Sequence, residues 1–275
     1  MPVARVNGVD DPRLAPYRDV PEPELVRARG LFVAEGRLVV RRVIEDGRFR
    51  VHSLLVNEAA ERDLAPVFGR LPPETPILLC RAADFRGITG HDFHRGCLAL
   101  VDRPPATTLA AVLASATTIV VLEGVTDPDN VGGAFRNAAA LGAGGVLLSP
   151  TCCDPFYRKA IRTSMGTVLR VPFARAAEWP TALADVRAAG FTLVALTPRR
   201  PSVTLEGYAA GPRPARLALI VGTEGGGVTP AVEAAADVRV SIPMQAEVDS
   251  LNLAVAVGIA LFALRDRERP SAGKG

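Results

Sequence analysis

After residue 117 the chain repeats one pattern: a short apolar run, then a helical segment. The runs are Thr118–Leu122 (TIVVL), Gly145–Leu148, Val168–Pro172, Thr192–Leu196, Leu217–Val221 (LALIV) and Val238–Ile242. Most lack the polar alternation of a strand with one wet face, so both their faces must be covered. Helical spacing fills the gaps, at Val131–Leu141, Tyr157–Met165, Trp179–Ala189 and Pro230–Ala235, and a long apolar helix closes the pattern at Leu251–Arg265. Buried strands joined by helices make a parallel sheet, so the predicted fold class is α/β. Ligands of such sheets sit beyond the carboxyl ends of the strands, and the loops there are where chemistry is expected.

A break precedes this region. Asp102–Thr108 (DRPPATT) interrupts two apolar stretches, and its consecutive prolines favour an extended linker. Before it, strands are expected at Leu31–Glu35, Val51–Val56, Ile77–Cys80 and Leu98–Val101. Helices are expected at Gly36–Glu45 and Ala59–Phe68, with a polar helix or turn at Pro23–Arg29, so a small α/β sandwich fits. Met1–Pro12 and Arg267–Gly275 are the candidates for frayed ends. Cys80, Cys97, Cys152 and Cys153 form no CxxC or Cys/His spacing, which argues against zinc, and adjacent Cys152 and Cys153 read as small buried residues. The start of the chain has no apolar leader, and the longest apolar run is too short to span a bilayer. A reduced, cytoplasmic protein without membrane or metal is expected. The net charge of +3 neither requires nor excludes nucleic acid, but lysine occurs only at Lys159 and Lys274, so the basic charge is almost all arginine. Arginine forks suit phosphates and stacked bases.

Three loops carry the chemistry. The first follows TIVVL: Glu123-Gly-Val-Thr-Asp-Pro-Asp-Asn130-Val-Gly132-Gly133-Ala-Phe-Arg136. Asn130 can cap the next helix, Arg136 lies about one and two-thirds turns further on, and two successive helical glycines call for a close approach by another group. The second, after LALIV, is Gly222-Thr-Glu224-Gly-Gly-Gly-Val-Thr-Pro, four glycines around one carboxylate. It can offer backbone N–H groups to a ligand, yet it matches neither the Walker loop nor the dinucleotide fingerprint. The third runs from Ile242-Pro-Met244 to Ser250-Leu251-Asn252, where Ser250 is a plausible N-cap and Asn252 a polar group entering an apolar helix. That helix, nearly all Ala, Val, Leu and Ile, is expected to be buried on most sides.

Together, NxGxxxR at Asn130–Arg136, GxE at Gly222–Glu224 and IPM…SLN at Ile242–Asn252 resemble the motifs of the SpoU, or TrmH, family of RNA 2′-O-ribose methyltransferases, in the family's order. The resemblance implies a SPOUT-class domain whose C-terminal chain, here about Thr197–Leu251, forms a deep trefoil knot with the last helix tucked through it. It implies S-adenosylmethionine as cofactor, with Leu196, Thr197, Gly222, Ile242, Met244 and Leu251 at the cofactor-binding positions. Arg136 takes the catalytic position, where phosphate anchoring suits a guanidinium better than proton abstraction. Asn130 orients Arg136 or the ribose, Glu224 holds the motif loops, and Ser250 and Asn252 complete the substrate side. A homodimer through the knotted domain is implied, with both subunits lining each site.

The first hundred residues resemble, more loosely, the family's L30e-like RNA-binding α/β/α domain, through LFVAEG at Leu31–Gly36 and GCLALV at Gly96–Val101. Arg37, Arg41 and Arg42 are candidates for an RNA-facing strip or a solvated helix face, and His91 and His94 read as surface residues. The organisation so implied is residues 1–103 for RNA binding, 104–116 for the linker and the start of the catalytic domain, 117–268 for the methyltransferase domain and 269–275 for a flexible tail. The expected activity is methylation of ribose in ribosomal or transfer RNA. A SPOUT-fold RNA-binding protein without catalysis and a base-methylating SPOUT enzyme are the alternatives.

Overall fold

The computed structural model describes residues 3–18, 21–89, 96–245 and 250–265. His91, His94 and the expected tail lie outside them. The described chain divides into two compact units, one of residues 1–105 with 154–170 and the other of residues 106–153 with 171–275.

The first unit is built on a five-stranded sheet in the order β1-β4-β3-β5-β2. Its strands are β1 (Val3–Arg5), β2 (Leu31–Glu35), β3 (Val51–Val56), β4 (Ile77–Leu79) and β5 (Cys97–Asp102). β1, β4 and β3 are parallel to one another, and β5 runs antiparallel to β3 and β2. Residues 3–5 are therefore paired, not frayed. Alternate side chains serve opposite faces. Val33, Leu55, Leu78, Leu98 and Leu100 join Leu14, Tyr17, Phe85 and Ile88 in one core, while Phe32 packs against Phe49 and Phe156. Arg29 N–H bonds back to the Glu24 carbonyl across Glu24–Ala28, so the expected polar turn is a single wide helical turn that buries Leu25 and Val26.

Residues 154–170, expected to run on within the second pattern, pack in this unit. Buried Glu35, 2% exposed, accepts Arg158 at 3.3 Å and Arg162 at 3.2 Å, and buried Asp154 pairs with Arg103 at 2.9 Å. The expected strand at Val168–Pro172 is instead a tight turn, Thr167–Leu169, entered through left-handed Gly166 (φ 79°), and the strand begins at Phe173. The three arginines that were candidates for an RNA-facing strip or a solvated helix face each have a partner in this unit. Arg37 bonds the Asp63 carboxylate, Arg41 the Asp63 carbonyl, and Arg42 the Met165 carbonyl at 2.6 Å.

The second unit holds a seven-stranded, all-parallel sheet in the order β10-β12-β9-β11-β6-β7-β8. The strands are β6 (Thr118–Leu122), β7 (Gly145–Leu148), β8 (Phe173–Arg175), β9 (Thr192–Leu196), β10 (Val203–Thr204), β11 (Leu217–Val221) and β12 (Val238–Ser241). Every residue of β6 and β11 is buried, as their apolar runs require. The chain moves outward from β6 through β7 to β8, then crosses to the other side for β9, and β11 fills the gap between β9 and β6. This reversal of strand order is the kind of place where open α/β sheets bind ligands.

The terminal helix, Leu253–Leu264, packs on the Pro128–Leu141 helix. A Cβ on Gly133 would stand 2.5 Å from Ala254 Cβ, so this glycine permits the helices to meet. The expectation that the terminal helix is buried on most sides does not hold within one chain. Val255, Ile259 and Phe262 are 50%, 40% and 54% exposed, and their i, i+4, i+7 spacing aligns them on one face.

All four cysteines are buried, and none forms a disulfide. Burial pushes the Cys80 thiol up to about 11 and raises that of Cys97 still further, so neither is a thiolate at neutral pH. Among the described residues no group of three metal-ligating side chains occurs, and no helix is long and apolar enough to cross a membrane.

Candidate active site

The three motif loops meet at the carboxyl ends of β6, β11 and β12. On the first, the helix is capped by Asp127, which accepts the Asp129 N–H at 3.0 Å, and Pro128 takes the first helical position. Asn130, expected as the cap, therefore lies inside the first turn. It is 4% exposed, and its side chain is free for a tertiary partner. On the third loop the cap is Asn252, whose Oδ1 accepts the Val255 N–H at 3.3 Å; Ser250 lies outside the helix.

Asn252 is the junction of all three. Its Nδ2 donates to Asn130 Oδ1 at 2.9 Å and to Glu224 Oε1 at 2.8 Å, while Leu253 N–H reaches the same carboxylate oxygen at 3.4 Å. Chemistry orders these groups. A carboxylate only accepts, so Asn252 must turn its amide NH2 toward Glu224. The same NH2 faces Asn130, so Asn130 must answer with its oxygen, and its own NH2 points away from the junction. Glu224 also sits at the positive end of the terminal helix, which favours its negative charge.

The glycine-rich loop is a tight turn. Thr223 and Gly227 exchange backbone hydrogen bonds of 3.2 and 2.8 Å, and Gly225 and Gly227 adopt φ of 77° and 65°. Gly222 leaves no room for a side chain, because a Cβ there would lie 1.9 Å from the Gly227 carbonyl oxygen.

The loop's far end is held by Glu123, a residue to which the sequence reading assigns no role. Glu123 is 5% exposed and accepts the Thr229 N–H, the Thr229 hydroxyl and the Trp179 indole N–H, each at 2.8 Å. The available signal was its position. A carboxylate directly after five buried strand residues must find donors, because leaving it without them would cost several kcal/mol of desolvation.

Beside the junction lies an open cleft. The six positions expected to bind cofactor, Leu196, Thr197, Gly222, Ile242, Met244 and Leu251, all line it, as do Glu224 and Ser250. Its walls join apolar side chains to the glycine backbone. Thr197 contributes little through its hydroxyl, which is spent on Glu233 at 2.8 Å. Such a cleft suits a ligand with a flat apolar ring and polar edges read by backbone groups.

Arg136 stands apart. It is exposed, has no hydrogen-bond or ionic partner among the described residues, and does not line this cleft. Six residues along a helix also turn it about 120° away from Asn130.

Comparison with known proteins follows the same lines. The model of the SpoU rRNA Methylase family matches residues 117–262. A Mycobacterium tuberculosis protein described as an uncharacterized tRNA/rRNA methyltransferase is 41% identical over 258 residues, covering 92% of this chain and 88% of that one. The crystal structure of an AdoMet-bound rRNA methyltransferase from Sinorhizobium meliloti superposes with a TM-score of 0.80 at 27% identity, covering 95% of this chain and 97% of that one. A structure described as an RNA 2′-O ribose methyltransferase gives 0.79 at 26% identity, with 95% and 98% covered.

Proposed function

This chain belongs to the SpoU rRNA methylase family, and from that premise we propose that it methylates a ribose 2′-hydroxyl of ribosomal or transfer RNA, in the cytoplasm. The coarser activity, methyl transfer to RNA with S-adenosylmethionine as cofactor, is that of the family and of its AdoMet-bound structural neighbour. The observation that carries the reading is the Asn130–Asn252–Glu224 junction beside the cleft. The residues present fit the cofactor. Leu196, Ile242, Met244 and Leu251 offer apolar contact to an adenine ring, and the backbone around Gly222 offers hydrogen bonds to its polar edges.

S-adenosylmethionine, when bound, supplies a methyl group already made electrophilic by its sulfonium. The protein's task is then to align a weakly nucleophilic hydroxyl and to hold its RNA strand. Asn130, its oxygen engaged by Asn252, presents an NH2 that can fix a ribose oxygen. Glu224 keeps Asn252 oriented, and Ser250 completes the substrate side of the cleft. Arg136, a permanent cation at neutral pH, anchors a phosphate.

The exposed face of Val255, Ile259 and Phe262 supports a homodimer through the terminal helix, and Arg136, outside its own cleft, serves the partner's. We expect Ile259→Asp to convert a dimer to a monomer in analytical ultracentrifugation and to suppress methyl transfer with it. A variant that stays dimeric rules out this face. We assign residues 1–103, with an L30e-like fold, to RNA binding, residues 104–116 to the linker and the start of the catalytic domain, and residues 117–268 to catalysis. About Thr197–Leu251 forms the trefoil knot. The deciding experiment transfers labelled methyl groups into total cellular RNA and analyses the nucleosides by mass spectrometry. A 2′-O-methyl nucleoside is expected. A methylated base, or no incorporation by protein that binds the cofactor, overturns ribose methylation.

A further inference from the structure

The glycine-rich wall of the cleft is fastened to the neighbouring wall by a side chain outside all three motifs. Thr197 and Pro198, just past β9, form one wall, and the turn from Gly222 to Gly227 forms the next. Arg199 reaches from the first to the second. Its Nη2 donates to the Gly226 carbonyl at 2.8 Å, and its Nη1 to the Val228 carbonyl at 2.9 Å and to Glu233 Oε1 at 3.3 Å. Glu233 also accepts the Thr197 hydroxyl at 2.8 Å, and that hydroxyl oxygen accepts the Arg199 N–H at 3.2 Å. The bonds form a closed ring, Thr197 to Glu233 to Arg199 and back.

A turn with glycine at 222, 225, 226 and 227 has more backbone freedom to lose than any other segment of equal length. If its backbone groups read a ligand, that freedom is lost either in folding or at the moment of binding, and in the second case affinity falls. Arg199 holds the Gly226 carbonyl and the Val228 carbonyl just past the turn, and so occupies no N–H group of the turn itself. The planar fork spreads its donors over two nitrogens in a fixed geometry, whereas a lysine ammonium offers its three N–H groups from one point on a flexible stem.

We propose that Arg199, oriented by Glu233 and Thr197, is a positioning residue that pre-organises the glycine loop for S-adenosylmethionine. The proposal rests on the cofactor assignment above. Arg199 does not touch the reacting atoms, so it sets cofactor affinity and not the chemical step.

Isothermal titration calorimetry on the full chain, with S-adenosylmethionine and with S-adenosylhomocysteine, tests this. Arg199→Ala is expected to raise both Kd values about tenfold, the loss of roughly one hydrogen bond to a charged group. Arg199→Lys recovers part of that loss. The melting temperature of the ligand-free protein is expected to stay within about 2 °C, since the Arg199 side chain is nearly half exposed. In RNA methylation the KM for cofactor rises while kcat at saturating cofactor is kept. Glu233→Gln, which keeps an acceptor for Thr197 but removes the charge facing Arg199, gives a smaller rise in Kd, about threefold. It serves as the test should Arg199→Ala fold poorly. Wild-type Kd values in both variants overturn the proposal. Failure of the unaltered protein to bind S-adenosylmethionine overturns the cofactor assignment instead, which is a separate result.

Discussion

Arg136→Ala is expected to lower methyl transfer at least about 10²- to 10³-fold, the range seen when one group that stabilises the transition state electrostatically is removed. Folding and cofactor binding should not follow it down. The side chain is exposed, lacks a partner among the described residues and lies off the cleft. Surface replacements of that kind usually change stability by less than about 0.5 kcal/mol. The variant should therefore bind S-adenosylmethionine with the wild-type Kd while its kcat/KM for RNA collapses. Arg136→Lys keeps the charge but loses the two-pronged fit to phosphate, and an intermediate rate is expected. Full activity of Arg136→Ala on an RNA that the wild type methylates would remove Arg136 from the catalytic set.

Gly222→Ala is expected to abolish cofactor binding through the backbone. The added Cβ meets the Gly227 carbonyl oxygen at 1.9 Å and its carbon at 2.0 Å, and neither is a flexible side chain that can swing away. The turn from Thr223 to Gly227 must open, breaking the 3.2 and 2.8 Å bonds that close it. A cost of about 3 kcal/mol and a fall of about 6–12 °C in Tm are expected, the upper part of the usual range for overpacking. Calorimetry should show no measurable S-adenosylmethionine binding. Gly225→Asn is the control. Gly225 has φ 77° with open space around it, and asparagine tolerates the left-handed region better than most residues. That variant should keep the turn and the wild-type Tm. Equal behaviour of the two would mean that crowding at Gly222 is not what shapes the loop.

The helix boundaries show where sequence reasoning stops. Asn130 and Ser250 were reasonable caps by residue type, yet Asp127 and Asn252 do the capping. Asp127 precedes Pro128, which is pre-organised for the first helical position, and that local advantage releases Asn130 for the junction. At the other helix, capping and the contact with Glu224 use different ends of one amide, so Asn252 does both. The run at Val168–Pro172 shows a different limit. Val168 and Leu169 are buried as expected, but within the first unit and as a turn. An apolar run reports that its side chains are buried without reporting where. Glu123 and Arg199 show a third limit. Arg199 reaches two backbone carbonyls of a distant loop and Glu123 reaches Thr229 and Trp179, all far along the chain, and residue identity does not mark such partners.

The parallel sheet and the three loops at its carboxyl end, including the runs at β6, β9 and β11, are legible in residue order alone. Those features follow from local rules: apolar residues without alternation must be covered on both faces, and glycine, asparagine and proline set turns through their own backbone preferences. The folded chain alone shows that Asn252 shares hydrogen bonds with Asn130 and Glu224, although Asn130 and Asn252 lie 122 positions apart. It alone separated Arg136 from them, exposed the stripe of Val255, Ile259 and Phe262, and set Arg199 across two walls of the cleft. The physical reason is that these contacts arise from how the helices and loops pack, as where Gly133 admits Ala254, and packing depends on every neighbour at once.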